Sequence, residues 1–219
     1  MKYDLVIFDL DGTILNTLED LADSTNYALE HNGLPTVTLD EVRSFVGNGI
    51  AKLIERAVPE KTAPQLTERV LETFKEYYKL HCADKTRPYD GIEQVFDKLR
   101  KKNIRTAVIS NKADFAVQSL CRDYFPGAFD CVAGEREGIR RKPYPDSVSA
   151  VMERLGIAKE RTLYVGDSEV DIQTAANAGI DEAAVTWGFR EKIFLREQGA
   201  VIVVDSVQEL LAYILQETP

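Results

Sequence analysis

Short apolar runs rich in valine and isoleucine alternate with helical patterns from Pro88 to the end of the chain. Alternation of this kind is typical of a sheet of mostly parallel strands with helices packed on its faces. We therefore predict an α/β fold. The predicted strands lie at residues 5–8, 105–110, 129–133, 162–165, 183–187 and 201–204.

A second region, between residues 17 and 82, contains helical patterns and no convincing strand. The start of one of its helices is marked by Thr38 and Glu41, which have the spacing of a capping box. This region follows directly on the first strand. We therefore predict two domains, an α/β core of residues 1–15 and 84–219 and a helical domain of residues 16–83 inserted into it.

The balance of charges narrows the classes of partner. The chain has 27 Lys and Arg residues against 36 Asp and Glu residues, which gives a formal net charge of −9. A negative long-range field repels polyanions, so nucleic acids and anionic membranes are not expected as partners. A small anionic substrate stays open, because a local site can override the field of the whole protein.

Cysteines and apolar runs indicate the compartment. Three cysteines without a Cys-x-x-Cys spacing argue against a disulfide framework or a cysteine zinc site, and are typical of reduced thiols in a cytosol. The apolar run at residues 5–8 is too short and too close to acidic residues for a secretion signal. No run approaches the roughly 18 apolar residues of a membrane helix. We therefore predict a cytoplasmic protein.

Polar residues follow three of the predicted strands, at the point where each strand ends. These groups are Asp9-Leu10-Asp11-Gly12-Thr13, then Ser110-Asn111-Lys112, then Gly166-Asp167-Ser168 with Asp171 close behind. In open parallel sheets, ligands bind beyond the carboxyl ends of the strands. We therefore expect the chemistry of this protein to reside in these groups.

The four aspartates of these groups predict a cation site. Two carboxylates about 4 Å apart, as expected for Asp9 and Asp11, repel by roughly 4 kcal/mol at an effective dielectric of about 20. A cation, a shared proton or full solvation would relieve this repulsion, and a surface turn is the alternative interpretation. Asp167 and Asp171 are about one helical turn apart, with helix capping as the alternative. Together, four carboxylates suit a hard cation such as Mg²⁺.

Two further residues are candidates for binding phosphate. The Ser110 hydroxyl and the backbone N–H groups after it could bind a phosphate oxygen, although Ser110 could instead cap the next helix. Lys142 precedes Pro143, which restricts its backbone to extended geometry and could hold the ammonium group in a fixed place. The alternative is a solvated basic loop, since Arg140 and Arg141 come directly before.

Taken together, these residues resemble the motifs of the haloacid dehalogenase superfamily. Asp9-Leu10-Asp11-Gly12-Thr13 resembles its first motif, Ser110 its second, Lys142-Pro143 its third, and the run from Gly166 to Asp171 its fourth. The order and wide spacing of the motifs also match. The resemblance spans nearly the whole chain and implies a Rossmann-like core, with the helical insert as the family's four-helix cap.

The resemblance also implies roles for the site residues. Asp9 would be the nucleophile that forms an aspartyl-phosphate, and Asp11 the general acid and then the general base. Mg²⁺ would bind the Asp9 carboxylate, the Asp11 backbone carbonyl and the Asp167 carboxylate. Asp171 would support these ligands from outside, directly or through water. Ser110, the Asn111 backbone and Lys142 would hold the phosphoryl oxygens.

Asp11 narrows the expected reaction, because superfamily members that cleave carbon–halogen bonds lack this second aspartate. The resemblance therefore implies a Mg²⁺-dependent phosphatase of a small phosphorylated metabolite, acting as a monomer or homodimer. Phosphoglycolate, pyrophosphate and sugar phosphates are all open as substrates. A mutase of the β-phosphoglucomutase type and a non-catalytic phosphate-binding module are the alternatives.

One segment of the predicted cap bears on the substrate. Phe45-Val46-Gly47-Asn48-Gly49 resembles a cap segment of phosphoglycolate phosphatases, which makes Arg43 and Asn48 candidate substrate contacts. Its glycines would let the backbone approach a small anion. A simple connection between two helices is the alternative interpretation.

Overall fold

The computed structural model describes residues 2–216 and divides into two compact units. The first takes the residues up to Leu15 and those from Pro88 onward, and the second is Asn16–Arg87. The boundary predicted after residue 83 therefore falls here after Arg87. The reason is Asp20, a buried residue of the second unit, whose carboxylate accepts hydrogen bonds from the backbone N–H groups of Lys85 and Thr86 at 2.8 to 3.1 Å.

The described residues contain eight strands and ten α-helices, with one short 3-10 turn at Lys159–Arg161. The strands are β1 Leu5–Phe8, β2 Leu15–Asn16, β3 Arg87–Pro88, β4 Arg105–Ala113, β5 Cys131–Glu135, β6 Thr162–Gly166, β7 Asp181–Val185 and β8 Val203–Val204. The helices are α1 Leu18–His31, α2 Leu39–Phe45, α3 Ile50–Ala57, α4 Pro64–His81, α5 Ile92–Lys101, α6 Asp114–Tyr124, α7 Asp146–Leu155, α8 Glu169–Ala178, α9 Lys192–Glu197 and α10 Val207–Leu215. No helix within residues 2–216 combines the length and the apolar composition that a membrane span requires.

Six of the strands form one sheet in the order β5-β4-β1-β6-β7-β8, and β2 pairs with β3 separately. All five pairings in the large sheet are parallel. The strand order reverses at β1, between β4 and β6, and such a switch point is where open α/β sheets place their ligands. The α/β fold predicted from the alternating pattern is confirmed.

Strand β1 is at the centre of this sheet and is buried on both faces. Val6 and Phe8 pack into the apolar core on one face, and Leu5 and Ile7 pack into the core on the other. Side chains alternate between the faces of a strand, so a buried parallel strand needs an uninterrupted apolar sequence. The run Leu5-Val6-Ile7-Phe8 meets this requirement.

The second unit contains the four helices α1 to α4. The predicted capping box is present at the start of α2, where the backbone N–H of Thr38 donates to Glu41 Oε2 at 2.7 Å and the N–H of Glu41 donates to Thr38 Oγ1 at 3.2 Å. The four helices share a buried set of apolar side chains, which includes Leu21, Leu29, Val42, Leu53, Ile54, Val70 and Phe74.

The structure differs from the sequence-based expectation at the end of β4. This strand continues through Ser110, Asn111 and Lys112 to Ala113, and its register with β5 shifts between Ile109 and Ala113. Helix α6 begins only at Asp114, after Ala113. The alternative interpretation of Ser110 as the cap of this helix is therefore wrong.

Strand β7 carries a carboxyl group that the fold buries without a partner. Glu182 Oε1 is buried and has no hydrogen-bond partner. Burial, together with the charge of Asp171, raises the pKa of Glu182 from its ordinary value of 4.5 to about 8. Glu182 is therefore protonated in the folded protein at pH 7 but ionised in the unfolded chain. This difference in protonation lowers the free energy of unfolding at pH 7 by about 3 kcal/mol.

Replacing this carboxyl group with an amide should stabilise the protein at neutral pH. The penalty is absent below about pH 4.5, grows as pH rises, and is complete above about pH 8, because the folded-state pKa is the higher one. We expect Glu182→Gln to raise the free energy of unfolding at pH 8 by about 1–3 kcal/mol, with no gain near pH 4.5. Denaturant unfolding at several pH values measures this difference.

The control is Glu197→Gln, which removes one negative charge from an exposed position on α9. It should change the unfolding free energy by less than about 0.5 kcal/mol at either pH. A gain for Glu182→Gln that is equal at pH 4.5 and pH 8 would show that Glu182 does not titrate as described.

Candidate active site

Three carboxylates meet where β1 and β6 end. Asp9 follows β1, Asp167 follows β6, and Asp171 lies in the first turn of α8. All three are buried, and each offers an oxygen within 4.8 Å of the others. Phe8 and Val165 are paired across the two strands, so the residues that follow them emerge side by side. The expectation that these aspartates share one edge of the sheet is met by this register.

Backbone hydrogen bonds within the loop after β1 hold it in a tight turn. The carbonyl oxygen of Leu10 accepts hydrogen bonds from the N–H groups of Thr13, Ile14 and Leu15 at 3.0 to 3.3 Å. Gly12 has φ +84°, and a Cβ atom at this position would lie 2.3 Å from Asp167 Oδ2. Glycine is therefore required here both by the left-handed backbone and by the closeness of the Asp167 carboxylate.

Lys142 is a buried ammonium group between two of the carboxylates. Its Nζ lies 2.8 Å from Asp9 Oδ1 and 2.7 Å from Asp171 Oδ1, and the residue is 5% exposed. The contact with Asp9 is an ion pair without hydrogen-bond geometry. Burial lowers the pKa of Lys142, but the charges of Asp171 and Asp9 outweigh it and hold the pKa well above its usual range. The alternative of a solvated basic loop is therefore wrong for Lys142.

The side chain of Asn111 holds the segment that carries Lys142. Asn111 Nδ2 donates to the backbone carbonyl of Lys142 at 3.1 Å, and the backbone N–H of Lys142 donates to Asn111 Oδ1 at 2.9 Å. The sequence motifs predict a role only for the backbone of Asn111, whereas the structure shows that its side chain also has one. Ser110 is buried next to it, and its Oγ accepts a hydrogen bond from the N–H of Lys112 at 3.2 Å.

Asp167 and Asp171 are oriented by different groups. Asp167 accepts from Thr13 Oγ1 at 3.2 Å and from the backbone N–H of Phe189 at 2.7 Å. Asp171 Oδ2 accepts from the N–H and the hydroxyl of Ser168, which is the capping box of α8. Helix capping, the alternative interpretation, therefore applies to Asp171. The same carboxylate also pairs with Lys142 through its other oxygen.

Asp11 pairs with Lys112, a residue to which the sequence motifs assign no role. Asp11 Oδ1 lies 2.7 Å from Lys112 Nζ, and the Lys112 side chain is only 2% exposed. Lys112 follows directly on Ser110 and Asn111 in the sequence. A lysine at the carboxyl end of an apolar strand was the available signal.

The site has more acidic than basic groups, and a divalent cation would balance this difference. The site contains four carboxylates, from Asp9, Asp11, Asp167 and Asp171, and two buried ammonium groups, from Lys112 and Lys142. Burial raises the pKa of Asp9 to about 7 against the opposing charge of Lys142, and the charge of Asp171 adds to the rise. Burial and the charges of Asp171 and Asp9 raise the pKa of Asp167 as well. An all-oxygen donor set with excess negative charge fits Mg²⁺.

The two predicted substrate contacts of the helical unit have partners within that unit. Arg43 is about half exposed, with Nη1 3.4 Å from Asp40 Oδ1. Asn48 Oδ1 accepts a hydrogen bond from Arg56 Nη2 at 2.8 Å, and Arg56 Nη1 donates to the carbonyl of Phe45 at 2.6 Å. Arg56 therefore holds the connection between α2 and α3. Substrate contact by Arg43 and Asn48 stays a prediction.

Comparison with known proteins identifies the family. The model of the haloacid dehalogenase-like hydrolase family matches residues 6–185. The chain belongs to this family. The resemblance found in the four motifs is thereby confirmed, and so is the expectation of a hydrolase.

Individual relatives cover nearly the full chain. A phosphoglycolate phosphatase from Chromobacterium violaceum is 33% identical over 214 residues, which are 94% of this chain and 93% of the relative. A phosphoglycolate phosphatase from Pseudomonas syringae pv. tomato is 31% identical, over 94% of this chain and 78% of the relative. Among solved structures, a candidate phosphoglycolate phosphatase from Lactobacillus delbrueckii subsp. bulgaricus is 41% identical with a TM-score of 0.94, covering 98% of this chain and 99% of that chain.

Proposed function

We propose that this protein is a Mg²⁺-dependent phosphatase that hydrolyses a small phosphate monoester, with 2-phosphoglycolate as the first candidate substrate. The observation that carries the proposal is the buried cluster of Asp9, Asp167 and Asp171 with Lys142 between two of its carboxylates. Relatives named phosphoglycolate phosphatase, which match almost the whole chain, support the substrate class.

The proposed reaction has two steps. In the first, a carboxylate oxygen of Asp9 attacks phosphorus, the bond to the leaving oxygen breaks, and Asp11 gives that oxygen a proton. In the second, Asp11 takes a proton from a water molecule, whose oxygen attacks phosphorus and releases the Asp9 carboxylate. Lys142 and Ser110 would hold the phosphoryl oxygens, and Asn111 would hold the Lys142 segment in place.

The cation would be held by the carboxylates of Asp9 and Asp167 together with the backbone carbonyl of Asp11. When bound, Mg²⁺ neutralises charge on the transferring phosphoryl group and orients it. Asp171 would act from outside these ligands, because its oxygens are used by Lys142 and Ser168. Its part in the site would be to fix the position of the Lys142 ammonium group.

The helical unit would serve as the cap implied by the family resemblance. Closure of such a cap excludes bulk water during the first step and selects the substrate. We place Arg43 and Asn48 among its substrate contacts, and Arg56 as the residue that holds the connection containing Asn48. A cytoplasmic location and a monomeric or homodimeric state belong to the same proposal.

Phosphate release from a panel of esters tests the function. The full-length protein is assayed with Mg²⁺ against 2-phosphoglycolate, pyrophosphate, several sugar phosphates and p-nitrophenyl phosphate, and the substrates are ranked by kcat/KM. We expect free phosphate from the monoesters, with the highest kcat/KM for 2-phosphoglycolate. A sugar phosphate that isomerises without net phosphate release would indicate a mutase, and no turnover of any ester would refute the proposal.

A further inference from the structure

Lys112 is a buried cation that the proposed reaction does not yet use. It lies in the irregular end of β4, where the register with β5 shifts, and such irregularities redirect side chains next to active sites. Only 2% of its side chain is exposed, and its Nζ lies 2.7 Å from Asp11 Oδ1. Burying an ammonium group removes its hydration, and a close carboxylate offsets this cost.

The two buried lysines of the site pair with different carboxylates. Lys142 contacts Asp9 and Asp171, whereas Lys112 forms an ion pair with Asp11. Asp11 is close enough to Asp9 for its charge to act on Asp9, so a mobile Asp11 carboxylate would be repelled from the nucleophile. The backbone on either side of Lys112 is held by β5, since Ile109 pairs with Ala133 and Ala113 pairs with Glu135. The buried Lys112 side chain therefore offers the Asp11 carboxylate a partner in a defined place.

We propose that Lys112 is a positioning residue, which holds the Asp11 carboxyl group where it meets first the leaving oxygen and then the attacking water. The inference rests on the proposed function, in which Asp11 is the acid and base. Proton transfer needs the two oxygens within hydrogen-bond distance, and a misplacement of about 1 Å can cost about 100-fold in rate. Lys112 keeps its own protons in both steps, while one proton leaves Asp11 in the first and one returns in the second.

The role predicts a dependence on the leaving group. An alkoxide such as glycolate must be protonated as it leaves, whereas p-nitrophenolate leaves without a proton. With Lys112→Met, a side chain of similar length without charge, we expect kcat for 2-phosphoglycolate to fall about 100-fold with KM changed less than about threefold.

The same variant should behave differently with p-nitrophenyl phosphate. The first step no longer needs Asp11, but the second step still does. We therefore expect a rapid burst of one p-nitrophenolate per enzyme, followed by a steady rate about 100-fold below that of the wild type. Lys112→Arg, which keeps the charge, should recover at least about a tenth of the wild-type kcat.

The matched control is Lys98→Met, on an exposed position of α5, which should leave both substrates unaffected. The burst amplitude counts folded, competent sites, so a loss of rate through unfolding is recognised as a smaller burst. Three results would overturn the inference: a raised KM with normal kcat, which indicates substrate binding; equal slowing of both substrates without a burst; or wild-type rates. If the wild type itself hydrolyses no ester, the proposed function is wrong and the role of Lys112 falls with it.

Discussion

Replacing Asp9 with asparagine is expected to lower kcat for phosphate release by at least about 10⁴-fold, because an amide cannot form the acyl-phosphate bond. The same substitution should not lower the stability of the metal-free protein. Burial raises the pKa of Asp9 to about 7 despite the opposing charge of Lys142, so a neutral side chain of the same shape relieves an unfavourable charge. Steady-state kinetics and thermal unfolding in the presence of a chelator measure the two effects.

The combination of lost activity and retained stability separates the nucleophile from a structural acid. Asp97→Asn, on the exposed face of α5, is the control for removing one carboxylate, and it should change neither quantity. An Asp9→Asn variant that turns over at the wild-type rate would show that Asp9 is not the nucleophile. A variant that is inactive and much less stable would attribute the loss to folding instead.

Exhaustive removal of divalent cations should abolish turnover, and added Mg²⁺ should restore it. The buried carboxylates would then also make Mg²⁺ a stabilising ligand of the folded state. At a concentration of about 100 times its dissociation constant, a ligand that binds only the folded state adds about 2.7 kcal/mol. We therefore expect Mg²⁺ to raise the Tm of the wild-type protein by several degrees, measured without any substrate.

The stability readout distinguishes a metal bound at this site from one bound elsewhere. Asp167→Asn removes one of the proposed ligands and should abolish both turnover and the Mg²⁺-dependent rise in Tm. Asp205→Asn, which removes a carboxylate paired with Lys192 near the surface, should keep both. Activity that survives chelation would exclude the Mg²⁺ role, and an unchanged Tm response in Asp167→Asn would place the cation away from Asp167.

Local sequence patterns were sufficient to predict the positions of most helices. The sequence shows helical patterns at residues 50–57, 146–155 and 169–178, and these are the residues of α3, α7 and α8. Strand boundaries were less predictable, since β7 covers Asp181–Val185 where residues 183–187 were expected. The backbone hydrogen bonds of a helix lie within the helix, so the residues near its ends determine where it begins and ends. The hydrogen bonds of a strand are made with neighbouring strands, so the ends of a strand depend on how far those neighbours extend.

The short helix α9 and the extended end of β4 illustrate the same limit. Helix α9 contains six residues and only one buried side chain, Leu195. Its apolar pattern is therefore too short to predict a helix from the sequence. The end of β4 carries polar residues that resemble a turn. The neighbouring strand β5 pairs with Ile109 and again with Ala113, and the residues between them, Ser110, Asn111 and Lys112, stay extended.

Some features of the site could be predicted from the sequence, and others depend on the tertiary structure. The sequence by itself placed the four aspartates at one edge of the sheet, because residues that follow parallel strands emerge at the same edge. The tertiary structure decided that Asp9, Asp167 and Asp171 form the buried cluster and that Asp11 pairs with Lys112. The tertiary structure alone decided which cation faces which carboxylate. Lys112 and Asp11 are 101 residues apart, and Asn111 is 31 residues from the backbone groups of Lys142 that it holds. No periodic pattern connects positions so distant, so these pairs depend on the strand order and on the irregular end of β4.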